Sequence, residues 1–185
     1  ILVIILVIIQ TSLNKYMDKK IEAKQPDFVY NNSKEFIESL NECISWQERN
    51  TTIWQNVPRE IIVAQAVIES AYGTSRFAKE ANNLFGIRTY NEKIPHLLIE
   101  SKTTWYGWGI RKFESKCQSV EYLVKLLNSH YAYEDFRKKR QQMLDKEQDL
   151  ETEELLRTLT GIFHTTQDYT ERVLKQIPRI RKHMQ

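Results

Sequence analysis

In the stretch PREIIVAQAVIESAYG, residues 58–73, the only strongly polar side chains between Ile61 and Tyr72 are Gln65, Glu69 and Ser70. Gln65 and Glu69 are four residues apart, so they project from the same helix face, one turn above the other. A helix that is apolar on nearly every face is a buried helix. Apolar surroundings raise the pKa of a carboxyl group, which predicts that Glu69 holds a proton near neutral pH and acts as a general acid. The alternative is a structural carboxylate that pairs with Arg76 or Arg111.

Local signals predict where this helix begins and ends. Pro58 suits the first helical position, because its missing N–H would have no partner there. Glu60 lies favourably near the positive end of the helix dipole. Gly73 is well placed for the left-handed residue that ends a helix. Glu69 is therefore expected near the C-terminal end of a core helix.

Helices are predicted on both sides of this segment. Apolar residues at helical spacing predict a helix over 34–49 with Ser33 as its N-cap, and Thr74 or Ser75 is expected to cap a short helix that ends at Asn82 and Asn83. Ser115 or Ser119 is expected to start another helix. Further helices are predicted at about 133–147, 152–163 and 168–183, and Pro178 should kink the last one or end it early.

The region between these helices has a different character. The runs LFGIRTY, HLLIESKTTWY and GWGIRKF are rich in aromatic and β-branched residues and are broken by turn residues. Such runs are typical of short strands, which predicts a small antiparallel lobe of two or three strands over about 84–113. The fold class is therefore α+β, mainly α, with a groove between the two lobes and Glu69 at its wall.

Composition sets limits on the partners. A chain of 185 residues suits one domain, and a net charge of +3 is compatible with an anionic polymer but does not indicate nucleic acid. The basic run at 137–140 is expected to form the solvated face of a helix. The histidines have no metal-ligand spacing, so we expect no metal site. Cys43 and Cys117 either pair or remain buried thiols.

The N-terminal part divides into two predicted segments. Residues 1–9, ILVIILVII, are too few to span a bilayer, which needs about 20, and are interpreted as the end of a signal peptide or a membrane anchor. A core strand is the alternative. Residues 10–32 are polar and are predicted to be a tether, which leaves 33–185 as the globular domain.

Five blocks in a fixed order carry a resemblance to a known family. The segment AQAVIESAYGTSRFA at 64–78 resembles the glucosaminidase family of peptidoglycan hydrolases, glycoside hydrolase family 73. The resemblance continues through NNLFGI at 82–87 and IRKFES at 110–115. The blocks NSHYAYEDFRKKR at 128–140 and YTER at 169–172 are similar to motifs of the Bax-like branch.

The resemblance implies a lysozyme-like fold and cleavage of the β-1,4 bond after N-acetylglucosamine in cell-wall glycans. The essential acid of the family motif corresponds to Glu69, in agreement with the chemistry that a glycosidic bond requires. The second carboxylate of the family lies in the β lobe, where Glu92, Glu100 and Glu114 are candidates and Glu100 is preferred. Besides a protein nucleophile or a protein base, the N-acetyl group of the substrate could assist the reaction, and no protein nucleophile would then be needed.

Tyr169 matches the family tyrosine that faces the acid across the cleft, although packing on the core is an alternative role. The chain departs from the family after this motif, with Val173 and Gln176 where relatives usually have Gly and Tyr. That departure puts part of the substrate contact in doubt. Tyr72 stands where many relatives have Trp, which is a mild change.

Further side chains are expected to contact the sugar. Aromatic rings stack on the apolar faces of sugars, which makes the tryptophans of the β lobe candidates, with packing of that lobe as the alternative. The expected substrate-binding residues are Gln65, Tyr72, Phe85, Trp105 and Trp108. Arg88 and Arg111 are candidates for holding Glu69 or the carboxylates of peptidoglycan.

Together these observations predict a monomeric β-N-acetylglucosaminidase that acts on peptidoglycan strands with Glu69, Glu100 and Tyr169 as catalytic residues and no cofactor. It is expected in the periplasm or cell envelope, either secreted or anchored to the inner membrane. One alternative is a lysozyme or lytic transglycosylase that cuts on the muramic-acid side. Another is a catalytically silent glycan-binding module.

Overall fold

The computed structural model describes residues 24–50, 57–99, 103–161 and 167–183, to which every structural statement below refers. Helices on both sides of a small sheet make up the described part of the chain. In order, they are α1 (Ser33–Arg49), α2 (Arg59–Ser70), α3 (Arg76–Glu80), β1 (Arg88–Thr89), β2 (His96–Leu97), β3 (Gly109–Arg111), α4 (Lys116–Ser129), a 3₁₀ turn (Tyr131–Tyr133), α5 (Glu134–Asp145), α6 (Thr152–Arg157) and α7 (Gln167–His183).

Helix α1 covers the predicted segment, but its cap lies one residue earlier than expected. The side chain of Asn32, not that of Ser33, accepts hydrogen bonds from the main-chain N–H groups of Lys34 and Glu35, both at 3.0 Å. Asparagine satisfies the first free donors of a helix as well as serine does. The buried face of α1 carries Phe36, Ile37, Leu40, Cys43 and Ile44.

Helix α2 is largely buried, as its sequence predicts, but it ends earlier than the glycine signal indicated. Ala71, with φ of 49°, is the left-handed residue after Ser70, and Tyr72 and Gly73 also have positive φ. Ser70 explains this early end, because its buried hydroxyl bonds both to the Ala66 carbonyl at 2.6 Å and to the Gly73 N–H at 2.8 Å. A side-chain bond thus replaces the next helical turn.

The β lobe is a three-stranded antiparallel sheet in the order β1–β3–β2, which confirms the predicted antiparallel lobe. Arg88 pairs with Ile110 across β1 and β3, and His96 pairs with Arg111 across β2 and β3. The strands are only two or three residues long. Such short strands depend on side chains that hold the lobe to the helices.

The later helices begin close to their predicted positions. Ser115 caps α4 by accepting a hydrogen bond from the Gln118 N–H at 3.0 Å. Helix α6 begins at Thr152 as predicted but stops at Arg157, well before residue 163. Helix α7 continues through Pro178 to His183, so of the two predicted effects of this proline, a kink or an early end, the early end is wrong.

One continuous core joins the helices. Helix α2 packs most extensively against α7, and α1 packs against α4 and α2. Cys43 of α1 and Cys117 of α4 form a disulfide bond, which settles the alternative left open by the sequence. This covalent link joins two helices that also pack against each other.

Residues 24–30 belong to the predicted tether and lie against the globular domain. The Tyr30 hydroxyl donates to the Gly73 carbonyl at 2.7 Å, and the Cys117 sulfur lies 3.4 Å from the Pro26 carbonyl. The rings of Phe28 and Tyr30 also contact Phe36 of α1. The segment is therefore packed wherever the structure describes it.

In the described ranges, no helix is both long and apolar enough to cross a bilayer. The apolar run at residues 1–9 lies outside those ranges.

Candidate active site

Glu69 lies in the last turn of α2, at the junction of the two lobes. Its side chain is half-buried rather than enclosed in the core, which corrects the picture of a fully buried carboxylate. One carboxylate oxygen, Oε2, lies 3.8 Å from the position that a Cβ atom would occupy on Gly86. Gly86 precedes β1, so the carboxylate of the helical lobe faces the entrance of the β lobe.

Tyr169 of α7 approaches Glu69 from a distant part of the chain. Its hydroxyl donates a hydrogen bond to the Glu69 carboxylate. Burial of the ring, the charge of Glu69 and this hydrogen bond raise the pKa of Tyr169, while Gln65 and the charge of Arg172 act weakly in the opposite direction. The Tyr169 hydroxyl therefore keeps its proton and can donate a hydrogen bond to the carboxylate. Helices α2 and α7 together position this Glu69–Tyr169 pair.

The two arginines considered as structural partners of Glu69 are engaged elsewhere. Arg76 pairs with Glu80 at 3.2 Å and donates to the Leu98 carbonyl at 3.1 Å. The Arg111 guanidinium stacks on the Tyr122 ring at 4.3 Å. No ion pair within the described ranges includes Glu69, so none of the described cations holds the carboxylate in a salt bridge.

Three consecutive left-handed residues form the turn directly after Glu69. Ala71, Tyr72 and Gly73 have φ values of 49°, 54° and 77°. A Cβ atom on Gly73 would lie 2.4 Å from the Tyr30 hydroxyl, so only glycine leaves room for that ring. Positive φ is costly for residues with a side chain, and the bonds from Ser70 and Tyr30 hold the turn in place.

Asn83 ties the β lobe to the loop that faces Glu69. Its buried amide group donates to the carbonyls of Ile87 at 2.8 Å and Arg111 at 2.9 Å. Its oxygen accepts from the N–H groups of Phe85 at 3.2 Å and Ile87 at 3.0 Å. This single side chain shapes the loop around Gly86 and joins it to β3. The sequence interpretation placed Asn83 at a helix end and in the NNLFGI block of the resemblance, but gave its side chain no role.

The tryptophans predicted to bind sugar both interact within the β lobe. Trp105 packs on His96 with ring centroids 4.7 Å apart. Trp108 lies 5.3 Å from the Tyr106 ring and is covered on one face by the Arg88 guanidinium at 4.1 Å. Both tryptophans remain half-exposed. Packing of the lobe, the alternative considered from the sequence, is thus present.

The other predicted substrate-binding residues differ in accessibility. Gln65 is only 1% exposed and Phe85 only 5% exposed, so both are part of the wall behind the Glu69–Tyr169 pair. Tyr72 is half-buried and its ring contacts Phe36 at 6.2 Å. Among the carboxylates of the β lobe, Glu92 and Glu114 are exposed, whereas Glu100 lies outside the described residues.

Comparison with known proteins places this arrangement in a family. The family model described as "Glucosaminidase: Mannosyl-glycoprotein endo-beta-N-acetylglucosaminidase" matches residues 47–182. The chain belongs to the glucosaminidase family. The match spans both lobes and contains Glu69, Asn83 and Tyr169, so all three residues are part of the glucosaminidase domain.

A curated relative supports the branch indicated by the sequence. The glucosaminidase domain is 31% identical over 105 residues to "Protein bax" of Escherichia coli strain K12. The matched region covers 57% of this chain but only 36% of that protein. The chain thus spans about a third of the length of this relative.

Two solved structures share the fold of the glucosaminidase domain. The catalytic domain of the autolysin Auto from Listeria monocytogenes superposes with a TM-score of 0.57 at 22% identity, covering 94% of this chain and 96% of that one. A glycoside hydrolase domain of FlgJ from Salmonella typhimurium superposes with a TM-score of 0.53 at 18% identity, covering 82% of this chain and 99% of that one. These matches confirm the predicted architecture.

Proposed function

We propose that this glucosaminidase domain hydrolyses the β-1,4 bond after N-acetylglucosamine in bacterial peptidoglycan, with Glu69 as the general acid. The observation that carries the proposal is the Glu69–Tyr169 pair at the junction of the lobes. Glu69 is half-buried, outside any ion pair of the described residues, and next to the open Cβ position of Gly86. A carboxyl group in that setting is accessible to a glycosidic oxygen in the cleft.

The chemistry begins with proton transfer from Glu69 to the oxygen of the scissile bond. The bond to the anomeric carbon then breaks through an oxocarbenium-like transition state, and the protonated oxygen leaves as an alcohol. Tyr169 holds one carboxylate oxygen through its hydroxyl, which orients the other oxygen toward the substrate. Gln65, buried beside this pair, supports Tyr169 rather than the sugar itself.

The positive charge that develops on the sugar requires a second group. Glu100 is our proposed carboxylate, and it would act as a nucleophile at about 5–5.5 Å from Glu69 or as a base for water at about 6.5–9.5 Å. The N-acetyl group of the substrate is the alternative. A Glu100→Gln variant that keeps full activity would favour the N-acetyl route.

Half-exposed aromatic side chains extend the site for a glycan strand. Trp105 and Trp108 remain our proposed stacking surfaces, because their packing within the β lobe leaves part of each side chain accessible. Tyr72 borders the same junction from the helical lobe. Phe85 is proposed to shape the wall of the cleft, since it is too buried to offer a ring face.

The proposed substrate implies action in the cell envelope, and the disulfide bond between Cys43 and Cys117 supports this location. Disulfide bonds persist in oxidising compartments such as the periplasm and are rare in the cytosol. We propose that residues 1–9 direct export, either as the end of a signal peptide or as a membrane anchor, and that the domain acts as a monomer without a cofactor.

The decisive experiment compares purified wild-type protein with Glu69→Gln on isolated sacculi. Because glutamine keeps the size of the side chain but has no proton to give, the variant should fold normally and lose lytic activity by at least about 100-fold. Glu121→Gln, an exposed change on α4, is the matched control and should retain activity. Equal lysis by wild-type and Glu69→Gln proteins would falsify the catalytic role.

Mass spectrometry of the released fragments identifies the bond that is cut. A reducing N-acetylglucosamine end supports the proposed reaction. An anhydro-muramic end indicates a lytic transglycosylase, and a reducing muramic end indicates a lysozyme. Binding to sacculi without any cleavage by the wild-type protein indicates a glycan-binding module.

A further inference from the structure

A cationic groove runs along α7 beside the catalytic pair. Its lining includes Ile68 and Tyr72 from the end of α2 and its following turn, and Arg172, Lys175, Gln176 and Arg179 from α7. We propose that this groove binds the carboxylates of the peptide stems of peptidoglycan. The inference rests on the proposed function, because it assigns a second site for the same substrate.

The charge of the groove comes from one face of α7. Residues 172–182 contain five basic residues and no acidic one. Arg172, Lys175 and Arg179 are exposed and lie at positions i, i+3 and i+7, which places them on one side of the helix. None of these three takes part in an ion pair with the described residues, in contrast to Arg181, which contacts Glu60 at 3.4 Å.

On both helices, residues that line the groove are close in sequence to the catalytic pair. Ile68 is the neighbour of Glu69 in α2, and Tyr72 belongs to the left-handed turn that follows. At the other wall, the charge of Arg172 acts on the hydroxyl of Tyr169. The α2 and α7 helices are antiparallel here, since Glu60 meets Arg181 while Glu69 meets Tyr169. The groove therefore leads away from the cleavage point along α7.

The dimensions fit a short peptide branch of the substrate. Seven residues of helix separate Arg172 from Arg179, which corresponds to about 10 Å. About three extended peptide residues cover the same distance. Peptide stems leave the glycan at its muramic-acid units and carry free carboxylates along a short chain.

The lining also matches the mixed character of such a peptide. Ile68, Ala71 and Tyr72 offer apolar surface for alanine methyl groups on the α2 side, while the cations stand on the α7 side. Arginine and lysine bind carboxylates by charge-assisted hydrogen bonds. The region after Tyr169, where Val173 and Gln176 depart from the usual family residues, thus has a role in binding rather than in the chemical step. Val173 is fully buried, and Gln176 faces the groove.

The test uses two substrates that differ only in their peptides. Intact sacculi carry peptide stems, and sacculi treated with an amidase retain bare glycan strands. The double variant Lys175→Gln/Arg179→Gln should cleave intact sacculi with a kcat/KM about 2- to 30-fold lower than wild type, the loss expected for two exposed ion pairs. Its activity on bare strands should be unchanged, and the wild-type preference for intact sacculi should shrink at high salt.

Lys125→Gln/Lys146→Gln is the matched control, because it removes two exposed positive charges from α4 and from the residue after α5. This control should behave as wild type on both substrates. An equal loss in the control would assign the effect to net charge, and an equal loss on bare strands would assign it to the glycan or to the fold. Either result, or no loss at all, overturns the proposal.

Binding separates this inference from the proposed function. In the Glu69→Gln background, co-sedimentation with intact sacculi, with and without amidase-released bare strands as competitor, measures the contribution of the peptides without any cleavage. Loss of binding to intact sacculi on adding the two α7 changes supports the groove even if the domain proves inactive. A third measurement is co-sedimentation with phosphatidylglycerol vesicles. If the changes at Lys175 and Arg179 weaken binding to vesicles but not to sacculi, the groove is a membrane contact and the proposal is overturned.

Discussion

Glu69 and Tyr169 are one hundred residues apart in sequence and in direct contact in the structure. The acid sits on a rigid, largely buried helix, and the tyrosine is 5% exposed on a second helix that packs against it. Because both side chains come from packed helices rather than loops, their relative position is held by the core. A proton donor in a glycosidase benefits from such positioning, since misplacement of the carboxyl oxygen lowers the rate.

At this residue scale, the first prediction concerns the hydroxyl of Tyr169. Tyr169→Phe removes the hydrogen bond to Glu69 while keeping the buried ring. Hydrogen bonds to charged groups contribute about 1.5–3 kcal/mol, so we expect kcat to fall by about 10- to 100-fold with little change in KM or thermal stability. Steady-state kinetics on soluble glycan fragments provide the measurement.

The pH dependence gives this prediction a second readout. The pKa of Tyr169 is raised above its usual value of about 10, mainly by burial, so its hydroxyl remains protonated through neutral and mildly alkaline pH. An alkaline loss of activity below pH 10 therefore does not come from ionisation of Tyr169. Tyr131→Phe, which alters a ring that is 82% exposed, is the control and should have no kinetic effect. A Tyr169→Phe enzyme with the wild-type kcat would contradict the proposed role.

At the scale of elements, the strands of the small sheet are among the shortest elements described. Strands of two or three residues bury little surface, so the lobe relies on side-chain bonds that reach into the adjacent loop. Asn83 makes four such bonds, and Asn82 donates to the carbonyls of Phe113 and Glu114, both at 3.1 Å. The two asparagines thus join the end of α3 to the strand that returns toward α4.

Asn83→Ala should therefore destabilise the domain and open the β lobe. The substitution leaves buried main-chain groups of Phe85, Ile87 and Arg111 without this partner, which predicts a loss of about 2–4 kcal/mol in the free energy of unfolding. Urea denaturation followed by fluorescence measures the loss, and activity should fall along with it because Gly86 faces Glu69. Asn91→Ala, which removes one exposed bond to the Lys93 N–H, is the control and should cost less than about 1 kcal/mol. Equal stability of the two variants would contradict the role of Asn83.

The turn after α2 shows how a neighbouring segment stabilises a costly conformation. Ala71 and Tyr72 occupy left-handed backbone positions that glycine adopts more readily. Ser70 holds the turn from inside the helix, and Tyr30 holds it from the segment that precedes α1. Residues 24–30 therefore contribute to the geometry next to Glu69, although their sequence resembles a polar tether.

At the scale of the whole molecule, the disulfide bond closes a loop that contains the candidate acid and the β lobe. Cys43 and Cys117 are 74 residues apart, and the loop between them includes Glu69, Asn83 and Gly86. Closing a loop of this length restricts the unfolded chain, which in the chain-entropy model stabilises the folded state by about 4 kcal/mol. The disulfide bond thus restricts the part of the chain that contains the proposed general acid, Glu69.

Cys43→Ala/Cys117→Ala should accordingly lower the free energy of unfolding by about 4 kcal/mol. Reduction of the wild-type protein should produce a similar loss, measured as a shift of the urea midpoint with and without dithiothreitol. The double variant is its own control for the reagent, because dithiothreitol should not change its midpoint. If dithiothreitol shifted the urea midpoint of the double variant as much as that of wild type, the shift would not come from the disulfide bond.

Much of this molecule was readable from local patterns. The apolar run of α2, the helical spacing of α1 and α4 and the β-branched runs of the sheet lobe predicted the element types, because helix and strand periodicities reflect one buried face. The position of Glu69 in the last turn of a core helix followed from the same pattern. The ordered motifs then indicated the family, and the family match confirmed it.

The ends of the elements and the contacts between them depended on tertiary packing. Gly73 suited the helix end by its type, yet Ala71 takes that position because the Ser70 hydroxyl bonds across the turn. The residue type of Asn83 fits a helix end, yet its side-chain amide donates to the main-chain carbonyl of Arg111, 28 residues away. The pairing of Glu69 with Tyr169 and the cationic groove beside it likewise require α2 and α7 to lie side by side. Sequence periodicity reports which face of a helix is buried, but it carries no information about which distant helix covers that face.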